Sequence, residues 1–290
     1  MITVFTATFN RAKTLPRAFE SLKNQTFLNF EWIIVDDGSN DDTTKVVADF
    51  ATSTFEIKYI KQVNKGKHFA INKGVSLATG DVFFILDSDD FLPKNTIEVV
   101  MQKFANINKK ALVGGVVGRK SFFDNRIVGS KILLDDTISN AIDIRYTHKI
   151  EGDLTEIYYT KVLKEFPFPE IDNEKFCPEA LVWNRIAQKY SLLYFNESIY
   201  NCEYLADGLT SKIVKIRMQS PIATMLCYSE LASYKIPLTQ KIKATINFWR
   251  FAFSSKISFF KKLNQVNFSL SIIALPLGLL MHVKDLKKTR

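Results

Sequence analysis

The sequence predicts an α/β fold built on a mostly parallel, doubly wound sheet, followed by a helical C-terminal extension. Three observations lead to this prediction. Apolar runs alternate with stretches of helical periodicity through residues 2–105, acidic clusters follow two of these runs, and the composition changes beyond residue 210. Strands that alternate with helices form parallel sheets covered on both faces, and ligands bind at the carboxyl ends of such strands.

The first 105 residues contain separate signals for strands and for helices. Residues 32–35 and 82–86 are apolar at every position, which is typical of strands buried on both faces. Two further β-rich runs predict strands over residues 2–6 and 57–60. The spacing i, i+3, i+4, i+7 predicts the first helix, and it is formed by Leu15, Ala18, Phe19 and Leu22. Other helices are predicted over residues 43–50, over residues 68–78 and after Pro93.

Residues 106–210 have a weaker pattern than the first 105. A strand is expected over 111–118, where Gly114, Gly115 and Gly118 allow close approach of a ligand or of another backbone. A helix is expected over 181–190. We therefore predict one domain over residues 1–210, with halves 1–105 and 106–210, and an extension over residues 211–290.

Charge is divided unevenly between these two parts. The chain has 39 Lys and Arg residues against 30 Asp and Glu residues, a net charge of +9. Residues 211–290 contain 14 basic and two acidic residues, a net charge of +12, which leaves −3 on residues 1–210. A nucleic-acid binder carries its positive charge on the folded domain, so we expect no nucleic-acid partner.

The cysteines and the N-terminal residues indicate the compartment. Cys177, Cys202 and Cys227 are odd in number and lack metal-binding or redox spacing, which favours a reducing environment. The first residues lack a basic region followed by a long apolar stretch, so no secretory signal is predicted. We expect the protein on the cytoplasmic side of the cell membrane.

Two acidic clusters follow predicted strands, and both fall at the same edge of the predicted sheet. They are Asp36-Asp37 and Asp87-Ser88-Asp89-Asp90. Adjacent carboxylates repel each other and are tolerated where a cation or hydrogen-bond donors neutralise them. Mg²⁺ takes oxygen ligands and is often shared with substrate phosphates, so the clusters indicate a metal and diphosphate site. Solvated turns, in which Asp is common, are the alternative interpretation.

Beyond these clusters, an ordered set of short motifs runs through residues 1–105. The motifs are Thr8-Phe9-Asn10-Arg11, Val35-Asp36-Asp37-Gly38-Ser39, Asn64-Lys65-Gly66, Ala70-Ile71-Asn72-Lys73-Gly74, Ala78-Thr79-Gly80-Asp81 and Leu86-Asp87-Ser88-Asp89-Asp90. The set resembles the nucleotide-sugar half of family 2 glycosyltransferases, which have the GT-A fold.

This resemblance implies roles for individual residues. The aspartate at the position of Asp37 accepts a hydrogen bond from the nucleotide base, usually uracil. Ile71 stands where the family often has Arg, and Lys67 or Lys73 could supply that charge near the diphosphate. A solvated helix face is the alternative for both lysines, and it is the preferred one. The implied nucleotide-sugar contacts are Thr8, Asn10, Arg11, Asp36, Asp37, Lys67, Asp87, Ser88 and Asp89. The implied ligands of Mg²⁺ or Mn²⁺ are Asp87, Asp89 and Asp90.

The resemblance also implies a catalytic base in the second half. The family uses an aspartate followed four residues later by Trp and six residues later by Arg. Here Glu179 stands in that place, with Trp183 and Arg185 behind it and a proline before it. Glu174 is the rival base, and the structural alternative for Glu179 is a place in the first turn of a helix, where the helix dipole favours acids. Asp207-Gly208-Leu209-Thr210 resembles a loop that closes over the donor in capsular-polysaccharide members, or it is an ordinary turn.

The C-terminal extension combines basic, aromatic and apolar residues. Residues 246–260 are rich in Phe and Trp between basic residues, and 266–283 is an uncharged stretch of 18 residues. A spanning helix needs about 20 apolar residues, and this stretch contains Pro276 and Gly278 and has basic residues on both sides. We favour attachment to a membrane surface through residues 246–290. A buried helical hairpin and a true span are the alternatives.

The sequence therefore predicts an inverting, metal-dependent glycosyltransferase. It would move a sugar from a nucleotide-sugar, usually UDP-linked, to a lipid-linked glycan in surface polysaccharide synthesis. We expect it to be peripheral or monotopic on the inner face of the cell membrane. A nucleotidyltransferase is a rival, but residues 6–11 lack the glycine of a phosphate loop. A non-catalytic, membrane-bound subunit that binds nucleotide-sugar is the second rival.

Overall fold

The central strands of the sheet are apolar and fully enclosed. In this computed structural model, which describes residues 1–52, 54–107, 112–130, 136–203 and 212–289, every residue of β2 (Phe30–Asp36) is buried. β2 pairs in parallel with β1 (Ile2–Thr8) on one side and with β3 (Glu56–Lys61) on the other. β4 (Val82–Ile85) pairs in parallel with the far side of β1. These four strands confirm the predicted parallel sheet.

The second half of the sheet is mixed. The described strands form one eight-stranded sheet in the order β3-β2-β1-β4-β7-β5-β8-β6. β7 is antiparallel to both neighbours, β5 is parallel to β8, and β6 is antiparallel to β8. The bounds of these strands are β5 Val113–Phe122, β6 Thr137–Ser139, β7 Leu154–Tyr159 and β8 Ser191–Cys202.

Gly115 explains how β5 and β7 pair so closely. A Cβ atom at this position would lie 2.1 Å from the carbonyl oxygen of Ile157 on β7. A Cβ atom at Gly118 would instead meet the side chains of Ile199 and Phe195. The close approach predicted for these glycines is therefore to the protein's own strands.

The helices of the first half follow the predicted periodicity. All four residues that predicted α1 are buried, and Phe19 of that helix stacks on Phe50 with ring centroids 4.1 Å apart. The described helices of this half and the next are α1 Leu15–Lys23, α2 Thr43–Ala48, α3 Lys67–Leu77, α4 Thr96–Ala105, α5 Ala141–Tyr146, α6 Thr160–Glu165 and α7 Glu179–Ile186. The helices after residue 211 are α8 Ile213–Gln219, α9 Pro221–Ser233, α10 Leu238–Ala252, α11 Phe259–Leu263 and α12 Phe268–Thr289.

The contacts divide the chain into two compact units. The sheet unit comprises the described residues of 1–167 and 185–203, and the helical unit comprises 168–184 and the described residues beyond 203. The sequence instead predicted a division at residue 210, and the domain assignment stays a prediction. By contacts, residues 168–184 belong with the C-terminal helices.

In the helical unit, α12 packs on α10 through small and polar side chains. A Cβ atom at Gly278 would lie 2.7 Å from Cβ of Trp249, so glycine is needed for this close packing. The Arg250 guanidinium donates to both oxygens of Asp285, over 2.5 and 2.9 Å. The indole N–H of Trp249 donates to the hydroxyl of Ser271 over 3.1 Å. Helices α10 and α12 are therefore held together by specific polar contacts and not by apolar contact alone.

Glu31 ties together the sheet edge opposite the acidic clusters. Its carboxylate is buried and accepts hydrogen bonds from the Thr3 hydroxyl at 2.6 Å, the Lys58 ammonium at 2.6 Å and the Thr79 N–H at 2.7 Å. Burial opposes ionisation of Glu31, but these donors outweigh it and lower its pKa to about 2. This buried charge thus joins β1, β2, β3 and the chain entering β4.

We expect Glu31→Gln to lower the free energy of unfolding at pH 7 by about 3 kcal/mol, because each unit of pKa displacement is worth about 1.4 kcal/mol. The folded pKa of about 2 lies below the ordinary value of 4.5. The contribution of Glu31 is therefore complete above pH 4.5 and is lost as the pH falls toward 2. Urea unfolding of both proteins at several pH values measures the difference.

The control for this prediction is Glu56→Gln. Glu56 also contacts Lys58, at 3.5 Å, but its side chain is 62% exposed. Exposed ion pairs contribute at most about 1 kcal/mol, so this variant should unfold almost as the wild type does. Equal losses in the two variants would contradict the role assigned to Glu31.

Candidate functional site

The acidic clusters lie at the carboxyl ends of the central strands. β1 ends at Thr8, β2 ends at Asp36, and β4 ends at Ile85, just before Asp87. Because these strands are parallel neighbours, their ends share one edge of the sheet. The predicted site residues of the first half are thus brought to one edge, as the sequence predicted.

The loop after β1 is joined to the loop after β2. Asn10 has a left-handed backbone, with φ of 54°, and its N–H donates to the Ser39 hydroxyl over 2.9 Å. Its side-chain oxygen accepts from the N–H of Asn40 over 2.8 Å. Thr8 is buried, and the N–H of Arg11 donates to the Thr43 hydroxyl. Asn10 therefore shapes this edge by holding two loops together.

The first acidic cluster consists of two buried carboxylates with different hydrogen-bond partners. Asp36 is fully buried and accepts from the Tyr59 hydroxyl and the Ser39 N–H, at 2.6 and 2.7 Å. Asp37 accepts from the Gln62 amide and from the N–H groups of Lys65 and Gly66.

The bonding of these two residues separates their roles. A carboxylate offers about four acceptor sites, so the buried Asp37 has one beyond its three donors, and its predicted contact with a nucleotide base stays a prediction. Asp36 instead holds its own loop, and its predicted contact with the donor stays a prediction. The contacts of Asp37 also account for the Asn64-Lys65-Gly66 motif, whose N–H groups orient the carboxylate.

The second acidic cluster is surrounded by basic side chains. The Lys67 ammonium, in the first turn of α3, lies 2.6 Å from an oxygen of Asp87. A guanidinium nitrogen of Arg11 lies 3.9 Å from an oxygen of Asp89, which is beyond hydrogen-bond distance. Ser88 is buried between these aspartates. Lys67 was predicted near the diphosphate, and the structure brings it to the carboxylate that would face the donor.

Sequence reasoning missed Lys120 and Tyr200. The Tyr200 hydroxyl accepts from the N–H of Asp87 over 2.8 Å, and the Lys120 ammonium lies 4.4 Å from the centre of the Tyr200 ring. Lys120 is half-buried on β5, and Tyr200 is buried on β8. The sequence offered one signal for Lys120, namely its place near the end of the apolar and glycine-rich run of β5. Nothing local in the sequence links this lysine to Asp87.

The electrostatics of the cluster differ from one aspartate to the next. Burial alone would raise the pKa of Asp87, but Lys67 and Lys120 lower it below its ordinary value. Burial, reinforced by the charge of Asp87, raises the pKa of Asp89 and raises that of Asp90 to about 7. Burial lowers the pKa of Lys120, but Asp87 and Asp90 outweigh this effect and keep it charged. Lys120 therefore acts as a fixed counter-charge.

The three predicted metal ligands differ in the contacts they make. Among the described residues, no group of three or more His, Cys, Asp or Glu side chains is arranged to hold a metal ion. Asp87 is paired with Lys67, and Asp90 accepts from the N–H of Glu203 at 3.3 Å. The Asp87 side chain is more exposed than that of Asp89, 33% against 22%, but the basic partner of Asp89, Arg11, lies 3.9 Å away, whereas Lys67 lies 2.6 Å from Asp87. Asp87, Asp89 and Asp90 remain predicted metal ligands.

The two candidate bases lie in the helical unit. Glu179 is the first residue of α7. Both oxygens of Glu174 accept backbone N–H groups at the start of α9, from Ile222 at 2.6 Å and from Ala223 at 2.7 Å. Glu174 is buried, and these contacts favour a helix-capping role for it. The loop predicted over 207–210 lies outside the described residues.

Comparisons with known proteins agree with this geometry. The model of the family described as "Glycosyl transferase family 2" matches residues 3–164. Glycosyltransferase GlyG of Streptococcus pneumoniae is 33% identical over 209 residues, which cover 69% of each chain. The GalNAc(5)-diNAcBac-PP-undecaprenol beta-1,3-glucosyltransferase of Campylobacter jejuni is 29% identical over 66% of this chain and 60% of its own. The chain belongs to glycosyl transferase family 2.

Two further comparisons show how much of each protein the similarity covers. A chondroitin synthase of Escherichia coli is 35% identical over 104 residues, but the chain spans only 15% of its length. The crystal structure of S. aureus TarS 1-349 in complex with UDP-GlcNAc has a TM-score of 0.64 and 16% identity, covering 98% of this chain and 88% of that one. This likeness confirms the predicted GT-A fold.

We expect Lys120→Met to lower the free energy of unfolding by about 2 kcal/mol, because it removes the counter-charge of Asp90 and leaves Asp87 with Lys67 alone. Lys120→Arg keeps the charge and should lose much less. Urea unfolding at pH 7 compares the two variants with the wild type. If both variants lose stability equally, packing on Tyr200 and not charge explains the role of Lys120.

Proposed function

We propose that this protein is an inverting, metal-dependent glycosyltransferase. It transfers a sugar from a nucleotide-sugar, most simply a UDP-sugar, to a hydroxyl of a lipid-linked glycan in surface polysaccharide synthesis. The observation that carries the proposal is the meeting of Asp37 and the Asp87–Asp90 cluster at one sheet edge in a chain of this family.

The nucleotide half of the donor would bind at the end of β2. Asp37 is held by the Gln62 amide and two backbone N–H groups, so its remaining acceptor site has a defined direction. A base N–H of the uracil type fits such an acceptor. Arg11 and Lys67 lie beside the aspartates after β4, where they can stabilise the negative diphosphate.

The residues present fit a divalent cation shared with the diphosphate. Mg²⁺ and Mn²⁺ are commonly held by one or two carboxylates together with substrate phosphates and water, so three protein ligands are not required. Asp89 would supply the carboxylate, with Asp87 and Asp90 beside it. When bound, the cation would stabilise the negative charge that develops on the leaving diphosphate.

The base proposed for the reaction is Glu179. It would take the proton from the acceptor hydroxyl while that oxygen forms a bond to the anomeric carbon. The bond from this carbon to the diphosphate oxygen breaks in the same displacement, which inverts the configuration and releases the nucleotide diphosphate. Because Glu174 is engaged by the start of α9, it is the weaker candidate for this role.

The proposed acceptor is lipid-linked, and the proposed location is the inner face of the cell membrane. Two relatives support this assignment by their names, which include undecaprenol-linked acceptors: the Campylobacter protein and an Escherichia coli protein named as a UDP-Glc:alpha-D-GlcNAc-diphosphoundecaprenol β-1,3-glucosyltransferase. The basic, apolar residues 246–290 would hold the chain at that surface as a peripheral or monotopic protein.

We expect Asp89→Ala to reduce Mn²⁺-dependent UDP release from a UDP-sugar by at least about a hundredfold, because the metal contributes several kcal/mol to leaving-group stabilisation. The control is Asp81→Ala, which removes an 88% exposed aspartate just before β4. Release assays over a range of Mn²⁺ concentrations measure both variants. Wild-type release by Asp89→Ala would refute the metal role of Asp89.

We expect Glu179→Gln to block sugar transfer while leaving UDP-sugar binding intact, because the amide cannot accept the proton. Transfer to a polyprenyl-diphosphate sugar measures the reaction, and calorimetric titration measures donor binding. Glu174→Gln is the comparison, and it should retain transfer in whatever fraction remains folded. Normal transfer by Glu179→Gln together with loss in folded Glu174→Gln would reverse the assignment.

A further inference from the structure

Helix α12 has its small and polar residues inside and its large apolar residues outside. The buried positions recur every three or four residues, as Ser271, Ala274, Gly278, His282 and Asp285, and they face α10. This is the reverse of a helix on the surface of a soluble protein, whose apolar stripe faces the core. By length and composition α12 also suffices to cross a membrane.

The outward face is continuous and large. Its large exposed apolar side chains are between 36% and 69% accessible, and they include Phe268, Ile272, Ile273, Leu277, Leu280 and Val283. Among residues 268–283, all of which the structure describes, Ser269 is the one polar residue classed as exposed. Phe259 and Phe260 of α11 are exposed as well. An apolar surface of this extent marks an interaction site.

The charges beside this face are positive. Residues 254–289 contain six lysines, Lys256, Lys261, Lys262, Lys284, Lys287 and Lys288. The single acidic residue of this segment is Asp285, which is buried and paired with Arg250. Each basic residue near a membrane surface contributes about 1 kcal/mol of attraction to anionic lipids. A second copy of the chain would instead bring like charges together, so the charges favour lipid over self-association.

The contacts with α10 decide how deeply α12 can enter a bilayer. A spanning α12 would either break the Arg250–Asp285 pair or carry α10 into the hydrocarbon together with its Lys241 and Lys243. Charged groups at the centre of a bilayer are costly. The uncharged face of residues 268–283 is also only about 24 Å long at 1.5 Å per residue, shorter than the hydrocarbon core of about 30 Å.

We propose that α12 lies in the plane of an anionic membrane, with its outward face among the acyl chains of one leaflet and α10 on the side away from the lipid. The lysines at both ends of the apolar face contact lipid headgroups. This inference deepens the proposed function, on which it rests for the lipid-linked acceptor. It makes α12 the surface that brings the chain to the leaflet in which that acceptor is anchored.

Flotation with lipid vesicles tests the surface. The wild-type chain should float with vesicles that contain phosphatidylglycerol, and less with vesicles of phosphatidylcholine alone. Ile272→Glu combined with Leu280→Glu should lower the bound fraction at least tenfold. Both side chains are more than 60% exposed, so the variant should keep the wild-type melting temperature. Undiminished flotation of this variant, or a wild type that does not float, would overturn the proposal.

The matched control is Leu238→Glu. Leu238 is also a 63% exposed leucine of the helical unit, but it is the first residue of α10. This variant should float like the wild type. If it loses flotation as the double variant does, charge alone explains the effect and α12 is not the surface. A stable wild-type dimer that the double variant splits would assign the face to a second copy instead.

Thiol labelling tests the in-plane orientation. All three native cysteines are buried, so a membrane-impermeant maleimide should react selectively with an introduced cysteine. Gln265→Cys and Lys288→Cys place one thiol at each end of the apolar face. With protein added to sealed anionic vesicles, both should be labelled from outside. Labelling at one end alone would indicate a span and overturn the in-plane placement.

The proposed enzymatic function is tested separately from this surface. UDP release from a soluble UDP-sugar needs no membrane, so the double variant should release UDP as fast as the wild type. Flotation without any UDP release by the wild type would count against the proposed function and leave the surface intact. UDP release without flotation would support the proposed function and count against the membrane-binding surface.

Discussion

Repulsion among the three aspartates after β4 is the constraint on which the candidate site depends. Their charges lie within four consecutive residues, and burial makes each harder to ionise. The counter-charges come from distant parts of the chain: Lys67 from α3, Lys120 from β5 and Arg11 from the loop after β1. The acidic edge therefore exists only when the whole sheet is formed, with the Glu31 network holding the opposite edge.

The sequence was sufficient for the first half of the fold because its signals are local. The apolar runs of β2 and β4 and the stripe of α1 place these elements within a few residues of their observed bounds. The antiparallel course of β7 was not predictable in this way, since strand direction depends on residues far apart in the chain. Lys120 and Tyr200 were missed for the same reason.

The same distinction between local signals and distant contacts applies to the candidate site. Motif spacing identified Asp37 and the cluster after β4, but not the donors that hold them. Asp36 and Asp37 look alike in sequence, yet Asp36 is bonded to Tyr59 and to its own loop, whereas Asp37 is held by Gln62 and by the N–H groups of Lys65 and Gly66. The regular stripe of small and polar residues in α12, from Ser271 to Asp285, is present in the sequence, but only its packing on α10 identifies it as the buried face.

One residue of α12 limits how deeply that helix can sit. Pro276 lies inside the helix on its exposed side, and proline has no N–H to offer the carbonyl oxygen of Ile272. Hydrocarbon supplies no hydrogen-bond donor, whereas water and lipid headgroups do. If α12 lies in the leaflet as proposed, this unpaired carbonyl would favour a position near the polar boundary, where water and headgroups can donate to it.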